Sequence, residues 1–348
     1  MAFSKDPKQL DPKKKAKRVA AIVSAYESAD YLVGRLQNLV DDSLYVAGEL
    51  EIVVIDSNSP QDEGRIVADF QRRYQHIHYL RTPQRETVYA AWNRGIDLTT
   101  APYVINANTD DRFLPGGIAA LAALLDSDST ADVAYGDWLY TGHANDHIAS
   151  TTEKVLFLYP DYDPLLFLYY QITGHAALIR RSAFDRIGKF DAGYSVYGDR
   201  DWMLRFANQG GLAQKVPTVV GLYHANESGL ENANPSATRE LGRLRQHYTQ
   251  AAVLPTLCRP NQSTATAHDL AEIYAEAGAR GHSFFEFRGQ AYSDLNLAAH
   301  LLSIALKCDP ANPKALEGLA FVLEERGQHD DALLLRRAAK ARQASALS

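Results

Sequence analysis

The chain has 348 residues, 46% of them hydrophobic and 22% charged, with a formal net charge of −6. That length allows two domains, or one large domain with an appendage, and the acidic balance speaks against nucleic acid or an anionic membrane as the main partner. Two cysteines far apart in the chain, Cys258 and Cys308, support neither a disulfide framework nor a cysteine zinc site.

The first feature in chain order is a basic run, "KDPKQLDPKKKAKR" at residues 5–18, with seven Lys and Arg. It reads as a solvated, flexible tail over residues 1–17, with membrane-surface or phosphate steering as the alternative. It runs straight into a strand pattern rather than a long apolar core, so no secretory leader is expected. A reducing cytoplasm fits, with peripheral contact at the inner face of the membrane as the variant that the basic run allows.

From residue 18 strands and helices alternate. "RVAAIVSAY", "LEIVVIDS", "HIHYLRT" and "APYVINA" read as buried strands, and "ADYLVGRLQNLVDDSL", "DEGRIVADFQRRY" and "VYAAWNRGIDLTT" have helical spacing. Continuous apolar strands between amphipathic helices predict an α/β fold, a mostly parallel sheet with helices on both faces. Ligands in such sheets sit beyond the carboxyl ends of the strands. There the sequence places "SAYES", "DSNSP" and "NTDDR".

Residues 130–235 are less regular, with a helix over "DRDWMLRFANQGG" and a short strand at "KVPTVV". The most apolar stretch, "VLFLYPDYDPLLFLYY" at 155–170, is broken by two prolines and two aspartates and cannot span a bilayer. Residues 18–235 therefore form one domain, 236–262 a helical linker, and 263–348 an all-α region. Ala298 and Ala332, like Ala305 and Ala339, stand 34 residues apart, the tetratricopeptide period. Leu302, Leu316, Leu319 and Leu323 are its expected buried face, and "GHSFFEFRGQAY" its degenerate upstream hairpin. A plain helical cap is the alternative, because so few repeats make no long solenoid.

Glycine-loop phosphate binding, the α/β-hydrolase elbow and the HExxH zinc motif are absent from the sequence. What remains is "NANTDDRF" at 106–113, which sets Asp110 and Asp111 side by side at the end of a strand. Adjacent carboxylates repel and need solvent or a counter-cation. With Asn108 they offer hard oxygen ligands for Mg²⁺ or Mn²⁺; the alternative is a capping acid before "LPGGIAAL".

The order "VAAIVSAYESADYLVGRL", "EIVVIDSNSPQD", "RETVYAAWNRGI", "NANTDDRF" and "YGDRDWMLRFANQGG" resembles family 2 glycosyltransferases of the GT-A fold, from residue 18 to about 230. The resemblance implies a metal-dependent, inverting transfer of a sugar from a nucleotide donor, usually UDP-linked, to a glycan, lipid-linked or protein acceptor. It implies that Ser24, Tyr26 and Glu27 meet the nucleotide, that Asp56 reads the base, and that Arg85 approaches the nucleotide. Asn108, Thr109 and Asp110 occupy the D-x-D slot. The metal ligands so implied are Asp110, its neighbour Asp111, and His224, with Mn²⁺ or Mg²⁺ as the cation. Asp199 falls on the catalytic acid of the E-D motif, and Asp201 is the rival base, with helix-dipole stabilisation as its plain structural role.

The chain departs from the family pattern at Asn108, at Gly198, which replaces a Glu, and at Ser57, which replaces one of two paired acids. Trp92 and Trp202 read as core, Trp138 as either core or acceptor side, and His175 as an acceptor-loop residue. Arg180 and Arg181 read either as diphosphate contacts or as a solvated helix start. Two other classes compete: a non-catalytic scaffold acting through the helical repeats, and a nucleotidyltransferase. The latter wants a Gly-rich basic loop after the first strand, which "SAYESADY" lacks. The repeats tilt the acceptor or partner toward protein.

Overall fold

A computed structural model of the chain describes residues 17–226, 234–258, 265–283, 285–287 and 290–346. The expected flexible tail therefore lies, apart from Lys17, outside the described residues.

The alternation resolves into β1 (Val19–Ala25), α1 (Ala29–Val40), α2 (Ser43–Val46), β2 (Leu50–Asp56), α3 (Glu63–Gln71), β3 (Ile77–Arg81), α4 (Val88–Leu98) and β4 (Tyr103–Asn106). Val19 to Val23 have no solvent exposure at all, which is why β1 is apolar without alternation. Thr87 caps α4 by accepting the Ala90 N–H at 3.2 Å. Gly95 lets that helix lie directly on the Ile22 side chain of β1, where a Cβ would collide.

The middle of the chain supplies β5 (Arg112–Phe113), α5 (Gly117–Ser127), β6 (Val133–Thr141), β7 (Val155–Phe157), a 3₁₀ turn (Pro164–Leu168), β8 (Leu178–Arg180), α6 (Arg181–Ile187), α7 (Gly198–Asn208) and β9 (Ala213–His224). The sheet runs β3-β2-β1-β4-β8-β6-β9-β5, with β7 on β6. The expected parallel arrangement holds for β3, β2, β1 and β4 and for the β6–β9 pair. The β4–β8, β8–β6, β6–β7 and β9–β5 pairs are antiparallel, so the second half is mixed. A parallel return needs a long crossover, and the irregular stretch from residue 142 to 177 contains only a short strand and a 3₁₀ turn. Register sets Ala25 beside Asp56, and Ile22 beside Asn106. The switch in strand order at β1/β4 therefore opens a crevice over the ends of both strands.

The remainder is helical: α8 (Ala237–Tyr248), α9 (Leu254–Cys258), α10 (Ala267–Arg280), α11 (Leu295–Cys308), α12 (Pro313–Glu325) and α13 (His329–Ala346). Ala298, Ala305, Ala320, Ala332 and Ala339 are all buried, as the 34-residue frame requires for closely crossing helices. Leu302 and Leu316 are buried, whereas Leu319 and Leu323 are half-buried and Val322 takes the inward position. Gly327 adopts φ +76° at the turn before α13. Instead of an upstream helix, "GHSFFEFRGQAY" carries two short antiparallel strands, Phe285–Phe287 and Gln290–Tyr292.

This helical part is fastened to the sheet domain at the 3₁₀ turn. Tyr169 Oη donates to the Ala277 carbonyl at 2.6 Å, and Arg280 pairs with Asp163 at 2.6 Å. Arg245 of α8 bridges the Leu168 carbonyl at 3.0 Å and Asp294 at 2.7 Å.

Candidate active site

Over the ends of β1 and β4 lies a cleft of two adjoining lobes that share Ser24 and Val88 as lining residues. One lobe, about 520 Å³, is walled by Tyr26, Ser57, Arg85 and Ser195. The other, about 330 Å³, brings together Asn108, Asp110, Asp199 and His224. Residues spread over two hundred positions thus meet because four separate element ends converge.

In the larger lobe the Arg85 guanidinium sits over the Tyr26 ring, 3.9 Å from its centroid, a cation–π contact that fixes both. Glu27 has a left-handed φ of 48° and lines neither lobe; its N–H donates to Ser59 Oγ at 2.9 Å. Asp56 lies beneath, fully buried. It accepts the Ser59 N–H at 2.8 Å, and its other oxygen takes Tyr79 Oη and Arg81 Nη1, each at 2.6 Å. Ser59 Oγ in turn donates to Glu63 at 2.8 Å, and Glu63 also accepts the Ser28 N–H at 2.9 Å. This network ties the end of β1 to the end of β2.

The acid pair divides. Asp110 lines the smaller lobe, while Asp111 is 2% exposed and lies behind it. Asp111 accepts the His224 N–H at 3.2 Å on one oxygen and Asn108 Nδ2 at 3.3 Å on the other. Burial, then the charge of Asp110, pushes the Asp111 carboxyl up to about 7, against the opposing pull of Arg35. The counter-cation demanded by two adjacent acids is therefore partly internal. Arg35 is wholly buried, donates to the Asn108 carbonyl at 2.7 Å, and is drawn down to about 9 by burial and by Arg112. Arg112 holds the Thr109 carbonyl at 2.8 Å and Asn145 at 2.7 Å. Asn108 is explained as well: an acid there would set a second carboxylate against buried Asp111, where the amide now donates.

Among the described residues no three His, Cys, Asp or Glu side chains cluster as a metal cage. Asp111, expected as a ligand beside Asp110 and His224, is buried and does not line the lobe as they do. Those two do fit a cation shared with substrate oxygens: both line the lobe, and buried His224 Nδ1 has no hydrogen-bond partner among the described residues.

Asp199 stands in the first turn of α7 and lines the smaller lobe; its Oδ1 accepts the Arg200 N–H at 2.8 Å and lies 3.2 Å from Tyr89 Oη. A Cβ on Gly198 would sit 2.6 Å from Tyr89 Cδ2, so the ring occupies the space that a Glu would need. Asp201 lines neither lobe and pairs with Arg205 at 2.8 Å, its pKa raised by burial. Glu240 of α8, invisible to motif reading, accepts the consecutive N–H groups of Ser195, Val196 and Tyr197 at 2.8, 2.9 and 3.2 Å. It holds the backbone immediately before Asp199.

His175 lines the smaller lobe, stacked on Tyr223, and Trp138 meets it edge-on from a fully buried position. Trp202 is core, and Trp92, though buried, also lines the smaller lobe. Arg180 holds the carbonyls of Leu125 and Ala131, and Arg181 that of Ile96, so both brace helices rather than the cleft.

Residues 20–188 match the family described as Glycosyl transferase family 2. They are a family 2 glycosyltransferase domain. Residues 301–333 of the same glycosyltransferase match the Tetratricopeptide repeat family. It is 28% identical over 184 residues to a PGL/p-HBAD biosynthesis glycosyltransferase of Mycobacterium bovis, covering 52% of this chain and 67% of that one. It is 25% identical over 236 residues to the glycosyltransferase YwdF of Bacillus subtilis, covering 66% and 81%. Its fold is that of S. aureus TarS 1-349, solved with UDP-GlcNAc, at TM-score 0.58 and 15% identity over 93% of this chain and 92% of that one. The mannosyltransferase PcManGT of Pyrobaculum calidifontis, solved with GDP-Man and Mn²⁺, matches at TM-score 0.54 and 18% identity over 97% and 90%.

Proposed function

We propose that this glycosyltransferase moves a sugar, with inversion, from a UDP-linked donor to an acceptor hydroxyl, with Mn²⁺ or Mg²⁺ as its divalent cation. The observation that carries the reading is that Asp110 and Asp199, from different elements, face one lobe that Ser24 and Val88 join to the Tyr26–Arg85 lobe.

The Tyr26–Arg85 pair suits a nucleoside, a flat ring with a cation beside it. Asp56, fully buried and already holding three donors, would act on the base through the turn it anchors or by exchanging Arg81 for the base. When bound, the cation neutralises charge developing on the departing diphosphate; Asp110 and His224 would hold it. Asp199 takes the proton of the acceptor hydroxyl as its oxygen bonds to the anomeric carbon and the carbon–oxygen bond to the diphosphate breaks. The buried Arg35 and Arg112 keep the Asp110 turn in place against like-charge repulsion.

Hydrolysis of a panel of nucleotide sugars, with and without Mn²⁺, tests this reading. Metal-stimulated release of UDP from one donor is expected. Absence of turnover and of metal-linked binding for every donor would favour the scaffold alternative.

A further inference from the structure

The smaller lobe has two unlike walls. Asp110, Asp199 and His224 form the first. The second is aromatic: the His175 ring lies on Tyr223 with centroids 3.5 Å and planes 10° apart, and Tyr170 lines the lobe close by. His175 Nε2 and Tyr140 Oη are 2.7 Å apart, which sets the ring's orientation. Gln171, in the same wall, donates through Nε2 to Thr173 Oγ1 at 3.3 Å. Its Oε1 is buried and has no hydrogen-bond partner among the described residues. A buried acceptor left so costs free energy until a donor reaches it.

We propose that this wall is the acceptor subsite and that it takes a pyranose ring, with the apolar C–H face against Tyr223 and Tyr170 and a ring hydroxyl donating to Gln171 Oε1. The inference rests on the glycosyltransferase reading of the same lobe and names its second substrate. A sugar combines in one small body the two things the wall offers partners for, a flat apolar face and a fringe of donors. A peptide backbone can donate to Gln171 but presents no such face. A lipid tail has no donor for Gln171. Burial among the rings draws His175 down to about 3, so its ring adds no charge to this wall near neutrality.

The wall is also held from outside the transferase domain. Tyr170 and Gln171 directly follow Tyr169, whose hydroxyl is bonded to Ala277 of the helical region. The Phe167 carbonyl in the same segment accepts Arg200 Nε, from the residue after Asp199, at 2.6 Å. The acceptor wall and the start of the catalytic helix are thereby fixed to each other.

The test titrates methyl glycopyranosides into the protein with UDP and Mn²⁺, read by saturation-transfer NMR, and uses the same glycosides as acceptors with the hydrolysed donor. At least one pyranoside should bind through its ring protons. Tyr223→Ala and Gln171→Leu should each raise its KM about tenfold, the worth of one good contact, and much more than they slow donor hydrolysis. Tyr223→Phe, which keeps the ring, should restore KM. An unchanged KM in both variants, or transfer only to sugar-free peptides or lipid headgroups, would overturn the proposal. Donor hydrolysis without pyranoside binding defeats this inference alone, whereas no donor turnover defeats the transferase reading with it.

Discussion

The Asp111 carboxylate accepts the backbone N–H of His224 at 3.2 Å, so the buried member of the acid pair ties the turn after β4 to the end of β9. Its neighbour Asp110 is left facing the cleft. Two adjacent, chemically identical residues therefore have separable positions, one tying two chain segments together and one lining the cleft.

Substitution should separate them. Asp111→Ala strips the acceptor from two donors and should cost about 2–3 kcal/mol in urea unfolding, the penalty for unpaired buried groups. Asp110→Ala should unfold near the wild-type midpoint yet lose most metal-linked UDP affinity by calorimetry. Mn²⁺-dependent binding that survives Asp110→Ala would remove that residue from the cation site.

The two acids of α7 should likewise part. Asp199→Asn is expected to bind donor and transfer sugar at least roughly a hundredfold more slowly, the usual contribution of a positioned base. Asp201→Asn releases Arg205, which also donates to the Ile187 and Lys189 carbonyls at 3.0 and 2.8 Å, and should mainly lower thermal stability. Single-turnover rates showing the opposite ranking would make Asp201 the base.

Glu240 offers a third test, because three backbone N–H groups converge on its carboxylate ahead of Asp199. Glu240→Ala should destabilise the protein by about 2–3 kcal/mol and lower kcat by more than the donor KM rises. Glu240→Gln keeps one acceptor oxygen and should fall between. Melting temperature and kcat unchanged in Glu240→Ala would show the loop to be self-supporting.

Acid sensitivity should trace in part to His175. Its native pKa lies near 3 against 6.5 in a free side chain, so between those values the unfolded chain binds a proton that the native chain refuses. Stability from this site is complete above pH 6.5 and declines as pH falls toward 3. Urea midpoints at pH 7.5 and pH 5 should differ less in His175→Gln than in the wild type; an identical difference would mean that the ring is protonated in the folded state.

The strand ends were legible because chemistry and periodicity coincide there. The apolar blocks of β1, β2 and β4 stop at Ser24, Asp56 and Asn106, and a parallel sheet aligns those ends whatever the rest of the chain does. The D-x-D slot and the acid of α7 could be read for the same reason: short motifs fixed to element ends keep their place. The alanine period of the helical region was equally plain, since close helix crossings demand small residues at set intervals. Beyond β4 most pairings are antiparallel while β6 and β9 pair in parallel, an arrangement that depends on which edges meet rather than on local pattern.

What the sequence determined by itself was therefore the α/β class, the repeat-like end and the candidates for chemistry. Tertiary structure alone decided how those candidates divide. Asp110 and Asp111 are equivalent in one dimension and differ because Arg35, from α1, and His224, from β9, close over one of them. Asp199 and Asp201 share a helix turn, yet Arg205 takes one and the cleft the other. Gly198 looked like a lost acid until Tyr89 was seen to fill its space. Glu240 and Gln171 carry no motif at all. Burial and pairing are properties of neighbours brought from distant parts of the chain, and they set whether a polar group is satisfied, charged or open to a substrate.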